Sequence, residues 1–506
     1  MSLIRPDRRA HAGAHRAGGR HAAHTDLSAH RGPVDTDAPG TTGTSATQGT
    51  AGTVGTVGGT AGAADDGSVA TSVPWRPIVD HDDAVRFPHA CEPNEDGEYI
   101  DEYDPPRPSR RRLVGLDVAR GIALIGMIAI HTMTSDDGDG NMSLAWILAL
   151  GKASALFAVL SGVGLAFITG RRAAPRGWLA PRMSLVTVVR GTVVLLIGLL
   201  LGAFVPGAEV MVVLPYLGVM FIVAGLLVSL RTRTLLVVGF AWTIIGPVIS
   251  HLVRTGLPPA AQDPTNLTLA SLASPIDTLT VIFFTGSFPV ITWMAYVCIG
   301  MALGRSNLAA RSTIGLMTVG GLALTLGTVL LSQFFVHGAG FYERLASDVS
   351  DRMSLDTFTD FVVFGSSGQL PTDSWWWLAV NAPHTGTPLD LLYTIGISLA
   401  VIGGCLALTN VFSGRFALLA VPGSMTLTMY ALHALLVGPM SELPDLLIFG
   451  LHVVGLTILA LAWAHFFQRG PLEEIVARIT NLVRPTRNSR IYARGGAYKR
   501  NGQVVA

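Results

Sequence analysis

Cysteine is nearly absent from this chain: three residues in 506, Cys91, Cys298 and Cys405. Their scatter excludes a disulfide framework and a zinc site, and two of them fall in apolar runs, where a thiol is inert. Charge is scarce as well. Only 14% of the residues are Asp, Glu, Lys or Arg, the formal net charge is +1, and no basic, aromatic-interleaved surface argues for nucleic acid as a partner. The opening MSLIRPDRRAHAGAH has basic residues but no apolar core behind them, so no secretory leader is expected there. The apolar region lacks a P-loop, a zinc-type His/Glu helix and a Ser/His/Asp ordering, and no metal is implied. No internal repeat is apparent, which weakens an inverted-repeat transporter.

Hydrophobic residues, in contrast, make up half the chain, and the mean hydropathy is +0.48. That composition describes an integral membrane protein. The apolar material is unevenly placed. Residues 1–108, typified by TQGTAGTVGTVGGTAGAADDG, hold too little of it to fold and read as a disordered cytoplasmic tail. Half of the histidines lie there at irregular spacing, which suits a solvated tail better than a metal site. From residue 109 to 468 the sequence is a series of runs long enough to cross about 30 Å of hydrocarbon. Ten are expected, centred near Leu124, Leu156, Leu195, Phe221, Phe240, Ile291, Leu324, Leu399, Leu427 and Ile458. The predicted fold class is therefore all-α, a polytopic transmembrane helix bundle.

Arginines set the orientation. Arg110 to Arg112, then Arg171, Arg172, Arg176 and Arg182, then Arg231 and Arg233, then Arg305 and Arg311, then Arg415 occupy every second loop, while the intervening loops are acidic or neutral. Because short loops rich in Lys and Arg stay in the cytoplasm, both termini are expected inside. Residues 469–485 carry Leu472, Ile475, Val476, Ile479 and Leu482 at helical spacing opposite charged residues, the pattern of an interfacial amphipathic helix. Residues 486–506 read as a flexible basic tail. A long outer segment, about 337–388, includes Trp375, Trp376 and Trp377, which either cap a cleft or, more simply, anchor at the membrane interface.

Ionisable groups inside spans are costly and tend to mark sites. Six stand out: Asp117, Arg120 and His131 in the first span, Lys152 in the second, Arg190 in the third and His433 in the ninth. His251, His337, Asp390 and His452 fall at outer boundaries and His465 near an inner one, where water reaches them and no role is required. Within GLDVARGIALIGMIAIHTM, a helix turning about 100° per residue brings Arg120 and His131 to within about 20° of one face, roughly 16 Å apart. Asp117, three residues before Arg120, shares that stripe. One face thus offers an anion-binding cation on the inner side and a titratable base near the outer side. The plain alternative for each is an ion pair fixing a helix end and an interfacial histidine.

These residues carry a resemblance. LDVARGIALIGMIAIH is similar to the first-helix signature of the acyltransferase 3 proteins and their relatives, and KASALFAVLSGVGLAF to their second-helix pattern. TGSFPVITWMAYVCIGMALGR, GTPLDLLYTIGISLAVIG, PGSMTLTMYALHALL and RGPLEEIVARI resemble the YeiB-like branch together with the heparan-α-glucosaminide N-acetyltransferase-like proteins. The resemblance implies transfer of an acyl group, acetyl by default, from cytoplasmic acetyl-CoA to an extracytoplasmic glycan or glycolipid of the cell envelope, by an enzyme of the plasma membrane. It maps the catalytic base onto His131. The animal heparan enzymes place their proposed catalytic histidine in the loop after the first helix, and TSDDGDGN has none.

On this reading His131 takes the acceptor's proton or carries the acyl group, and His433 orients it or stands in for it. Lys152 stabilises the thioester oxyanion or neutralises the field of Asp117. Arg120, with Asp117, and Arg190 hold the CoA phosphates. The competing readings are a transporter or flippase of an anionic or lipid-linked solute and, last, a non-catalytic scaffold.

Overall fold

The computed structural model describes residues 113–485 apart from 137–141, 258–264, 339, 352–353, 366–369 and 413. Both expected tails, 1–108 and 486–506, lie outside the described residues.

The described residues build an all-helical bundle: α1 (Val114–Thr132), α2 (Leu144–Ala149), α3 (Lys152–Ile168), α4 (Leu179–Gly202), α5 (Leu214–Ala224), α6 (Thr232–Arg254), α7 (Pro275–Thr280), α8 (Val290–Arg305), α9 (Arg311–Gln333), α10 (Phe341–Val349), α11 (Leu355–Phe364), α12 (Pro388–Val411), α13 (Ala417–Ser424), α14 (Thr426–Val437), α15 (Asp445–Phe466) and α16 (Pro471–Val483). Every one of the ten expected span centres falls within one of these helices. Seven segments are long and apolar enough to cross a membrane, and two more qualify as bent pairs, Pro275–Thr285 with Val290–Arg305 at 59° and Ala417–Ser424 with Thr426–Met440 at 86°. The count among the described residues is therefore seven to nine. The run around Phe221 makes only α5, 11 residues long, about 16 Å of helix and roughly half of a bilayer core.

Each bend has a local cause. Between α7 and α8 the segment Gly286–Pro289 interrupts the helix: Pro289 has no N–H to continue it, and a Cβ on Gly286 would strike the Tyr216 ring. Between α13 and α14, Met425 leaves the helical region (φ −126°, ψ 36°). A break inside an apolar bundle orphans backbone N–H groups, which cannot be left bare. Here Glu473 of α16 supplies the acceptors. Its Oε1 accepts from Leu427 N at 2.7 Å and Thr428 N at 3.3 Å, and its Oε2 from the Thr428 hydroxyl at 2.5 Å. The RGPLEE segment thus caps α14 from a distance in sequence, and buried Val476 and Thr480 hold α16 in place.

Helices meet closely where side chains vanish. A Cβ on Gly162 of α3 would stand 2.5 Å from the Val297 carbonyl of α8. A Cβ on Gly423 of α13 would collide with the Asp117 carbonyl and the Gly121 nitrogen of α1, so α13 rests on the backbone of the turn that carries Asp117 and Arg120.

The segment after α9 has its own core of Phe341, Leu345, Val349, Phe358, Phe361, Leu370 and Trp377. Trp377 is fully buried there and donates Nε1–H to Asp373 Oδ1 at 2.8 Å. Of the three adjacent tryptophans, only Trp375 and Trp376 are exposed, and Trp375 lies against the His251 ring, centroids 4.6 Å apart.

Candidate active site

α1 carries polar groups at both ends. Near its start Arg120 Nη1 donates to Asp117 Oδ1 at 2.9 Å, with Asp117 buried and the Arg120 side chain 24% exposed. An acid at that position also suits the positive end of the helix dipole. Arg190 of α4 is close enough to feel the charges of Arg120, Glu473 and Arg469, and Arg469 in turn pairs with Glu474 at 3.6 Å. The structure therefore gathers Asp117, Arg120 and Arg190 at one end of the bundle and adds Arg469 and Glu473, which composition alone did not single out. The tip of Arg120 points toward Gly164 of α3, 3.9 Å from where a Cβ would stand.

At the other end of α1, His131 meets His433 of α14. Nδ1 of His131 and Nε2 of His433 are 3.0 Å apart, and the rings stack with centroids at 5.3 Å and an interplanar angle of 16°. His433 is completely buried. Behind it stands His452 of α15, edge-on, with centroids 4.9 Å apart and an interplanar angle of 83°. Nδ1 of His452 lies 2.8 Å from the Ile448 carbonyl. Among the described residues no group of three or more His, Cys, Asp and Glu side chains is arranged to hold a metal ion.

Lys152 belongs to a different cluster. Its Nζ donates to the Leu150 carbonyl at 3.3 Å and lies 5.7 Å from the Tyr393 ring, and the charge it feels is that of Asp390, not that of Asp117. Asp390 is itself held by a capping arrangement at the start of α12: Thr387 Oγ1 accepts from Asp390 N at 3.1 Å, and Asp390 Oδ2 accepts from Gly386 N at 2.9 Å. His384 completes the cluster. It sits in the left-handed region (φ 59°), lies parallel to Trp293 with centroids 6.3 Å apart, and has a buried Nδ1 without a hydrogen-bond partner. Burial, with the Lys152 cation second, pushes its pKa down to about 4, so the ring is neutral. A shallow depression beside Gly386, lined in part by His251, Arg254 and Thr292, adjoins this cluster and not the histidine row. It has no paired acid and base.

Three residues expected at water-exposed boundaries, His251, Asp390 and His452, are 4%, 4% and 2% exposed. A signal was present for two of them: Thr387 and Asp390 have capping-box spacing, and His452 repeats at four-residue steps with Ile448, Leu456 and Ala460. Glu209 was also missed; its Oε2 is buried without a partner, beside Gly438 at the end of α14. Asn266 fixes that loop by accepting from Val212 N at 2.8 Å and donating to the Val205 and Val210 carbonyls.

Residues 112–338, somewhat under half of the chain, match the family model described as heparan-alpha-glucosaminide N-acetyltransferase, catalytic. Over those residues the chain is similar to the catalytic domain of a membrane acetyltransferase. No curated protein matches it. The matched region of the acyltransferase contains α1 with Asp117, Arg120 and His131, and also Lys152 and Arg190; His384, Asp390, His433, His452 and Glu473 lie beyond it. This match favours an acyltransferase enzyme over a transporter, flippase or scaffold.

Proposed function

We propose that this acyltransferase moves an acetyl group from acetyl-CoA, held at the Arg120 end, to a hydroxyl or amine of a cell-envelope glycan or glycolipid at the His131 end. The observation that carries the reading is the His131–His433 pair, on the same face of α1 as Arg120 and roughly 16 Å along the axis from it. The bundle sits in the plasma membrane with both termini and the Arg120 end toward the cytoplasm, as the alternating arginines imply.

Acetyl-CoA supplies the activated acyl group and several phosphate charges. Arg120, Arg190 and Arg469 suit those phosphates, because guanidinium forks match phosphate oxygens. Asp117 and Glu473 keep the cluster from being a bare cation stack when no anion is bound. The acceptor's O–H or N–H gives its proton to His131 as the oxygen or nitrogen attacks the thioester carbonyl. The C–S bond then breaks, and the departing thiolate takes the proton from His131. A histidine suits both directions, since its ordinary pKa lies near the working pH. His433 fixes the His131 ring through Nδ1, which makes Nε2 the nitrogen that acts on the substrate. Lys152 lies with Asp390 and His384, near the turn that enters α3, where it neutralises a buried carboxylate.

The test is turnover of radiolabelled acetyl-CoA by the purified protein in nanodiscs, with glucosamine and a simple alcohol as acceptors. Acetylated acceptor or free acetate supports the reading. If neither acetyl-CoA nor longer acyl-CoAs are bound or consumed, the reading fails and solute flux becomes the next measurement.

A further inference from the structure

α15 buries very little of itself: Ile448, His452, Leu456 and Ala460, a single row at four-residue steps. Three of the four are apolar, and an apolar side chain at the fourth would pack that row without bringing an ionisable group into the bundle. The imidazole there has one satisfied nitrogen. A carbonyl can only accept, so the Nδ1 of His452 that faces the Ile448 carbonyl at 2.8 Å carries the hydrogen. In the neutral ring Nε2 is then a lone pair, and that atom is buried without a partner.

The neighbouring ring has the complementary problem. Between His131 Nδ1 and His433 Nε2, 3.0 Å apart, two neutral imidazoles share one hydrogen. For His131 to accept a proton at Nε2, its Nδ1 must carry that hydrogen and donate it. His433 must then hold its own hydrogen on Nδ1, and that nitrogen too is buried without a partner. An unpaired donor on His433 and an unpaired acceptor on His452 thus belong to adjacent rings, centroids 4.9 Å apart. In the opposite tautomer His433 donates to His131, and its Nδ1 presents a second lone pair to that of His452, with no hydrogen between them. A small ring rotation closes a direct N–H···N bond in the first arrangement; in the second no direct bond forms, and the two lone pairs are joined only by a water that donates both of its hydrogens.

We propose that His452 is a positioning residue which completes a three-histidine relay from the Ile448 carbonyl through His433 to His131 and selects the tautomer in which His131 Nε2 is basic. The relay rests on the acyl-transfer reading of His131. It needs no metal and no charge of its own. α15, which lies beyond the family match, contributes to the reaction through this one side chain.

The experiment combines a spectroscopic and a kinetic readout on the full chain in nanodiscs. Nitrogen-15 spectra of histidine-labelled protein, with His433 assigned by the signals lost in His433→Gln, report which ring nitrogen of His433 carries hydrogen. Acetyl-CoA turnover gives kcat and KM for wild type, His452→Phe and His452→Gln. The relay predicts hydrogen on His433 Nδ1 in wild type and a mixture of tautomers in His452→Phe. It also predicts a kcat lower by roughly tenfold to a hundredfold in that variant at unchanged KM, a size expected for a group that orients a reacting imidazole. In His452→Gln, whose amide oxygen can accept the same hydrogen, most of both properties should return. Hydrogen on His433 Nε2 in wild type overturns the relay, even if His452→Phe does not fold. A His452→Phe protein with wild-type kcat and tautomer, or a His452→Gln protein no better than His452→Phe, overturns it too. Wild-type protein inert toward acetyl-CoA refutes the acyl-transfer reading instead, and leaves the tautomer result to judge the hydrogen-bond chain alone.

Discussion

The two ends of α1 solve opposite problems. At the Arg120 end, charges stand with opposite charges: Arg120 with Asp117 at 2.9 Å, Arg469 with Glu474 at 3.6 Å, and Arg190 within the field of Glu473. At the His131 end three imidazoles stand together, two of them buried, and each of those two has a ring nitrogen without a partner. Paired, partly exposed charges can exchange a carboxylate for a phosphate at little cost and suit binding. Buried, incompletely satisfied imidazoles are costly to assemble and suit proton transfer. The difference teaches that one helix can carry affinity and chemistry separately, about three turns apart.

The comparison breaks first at His131. In His131→Ala, kcat should fall by about 10²- to 10⁴-fold, the usual worth of a general base, while KM for acetyl-CoA changes little; steady-state turnover measures both. The reverse pattern belongs to Arg120→Ala. Losing a charge-assisted hydrogen bond to phosphate is worth about 1.5–3 kcal/mol, so acetyl-CoA affinity should weaken roughly tenfold to a hundredfold, read by equilibrium binding of the labelled donor. Glu473→Gln keeps the shape but weakens the cap on α14, at about 1 kcal/mol. It should lower thermal stability by a few degrees, read in a melting curve, and leave the His131 chemistry nearly intact. The smallest expected effect lies outside both ends, at His384. Its pKa is about 4 in the folded protein against an ordinary 6.5, so between those values the unfolded chain binds a proton that the folded chain refuses. Stability is fully present above the ordinary value and is lost as pH falls toward about 4. The melting temperature should decline over that window, and His384→Phe should flatten the decline.

Much of this site was legible because α1 is one helix, and a helix converts spacing into direction. The three-residue step from Asp117 to Arg120 and the eleven-residue step to His131 were enough to place all three on one stripe. The pairing of His131 with His433 crosses 302 positions and depends on how α14 packs, which no local period encodes. His452 and Asp390 were misplaced for a shared reason: a polar residue near a span end looks hydrated until the neighbouring helices are known. The row of Ile448, His452, Leu456 and Ala460 carried the missing information, since only a packed face keeps strict four-residue steps in an otherwise uniformly apolar helix. The bends at Gly286–Pro289 and at Met425 followed from backbone chemistry, although only the structure shows Glu473 reaching back to close the second.

The account stands most directly on donor and acceptor meeting the protein from opposite sides. Sealed vesicles containing the acyltransferase in one orientation, set by protection of a tag placed after α16, allow radiolabelled acetyl-CoA to be supplied to one face at a time. Turnover should occur only when acetyl-CoA meets the face that carries α16 and Arg469, and labelled acetyl-glucosamine should then appear only on the far side. Label that accumulates on the donor's own side, or turnover from the opposite face alone, would contradict the division of labour along α1.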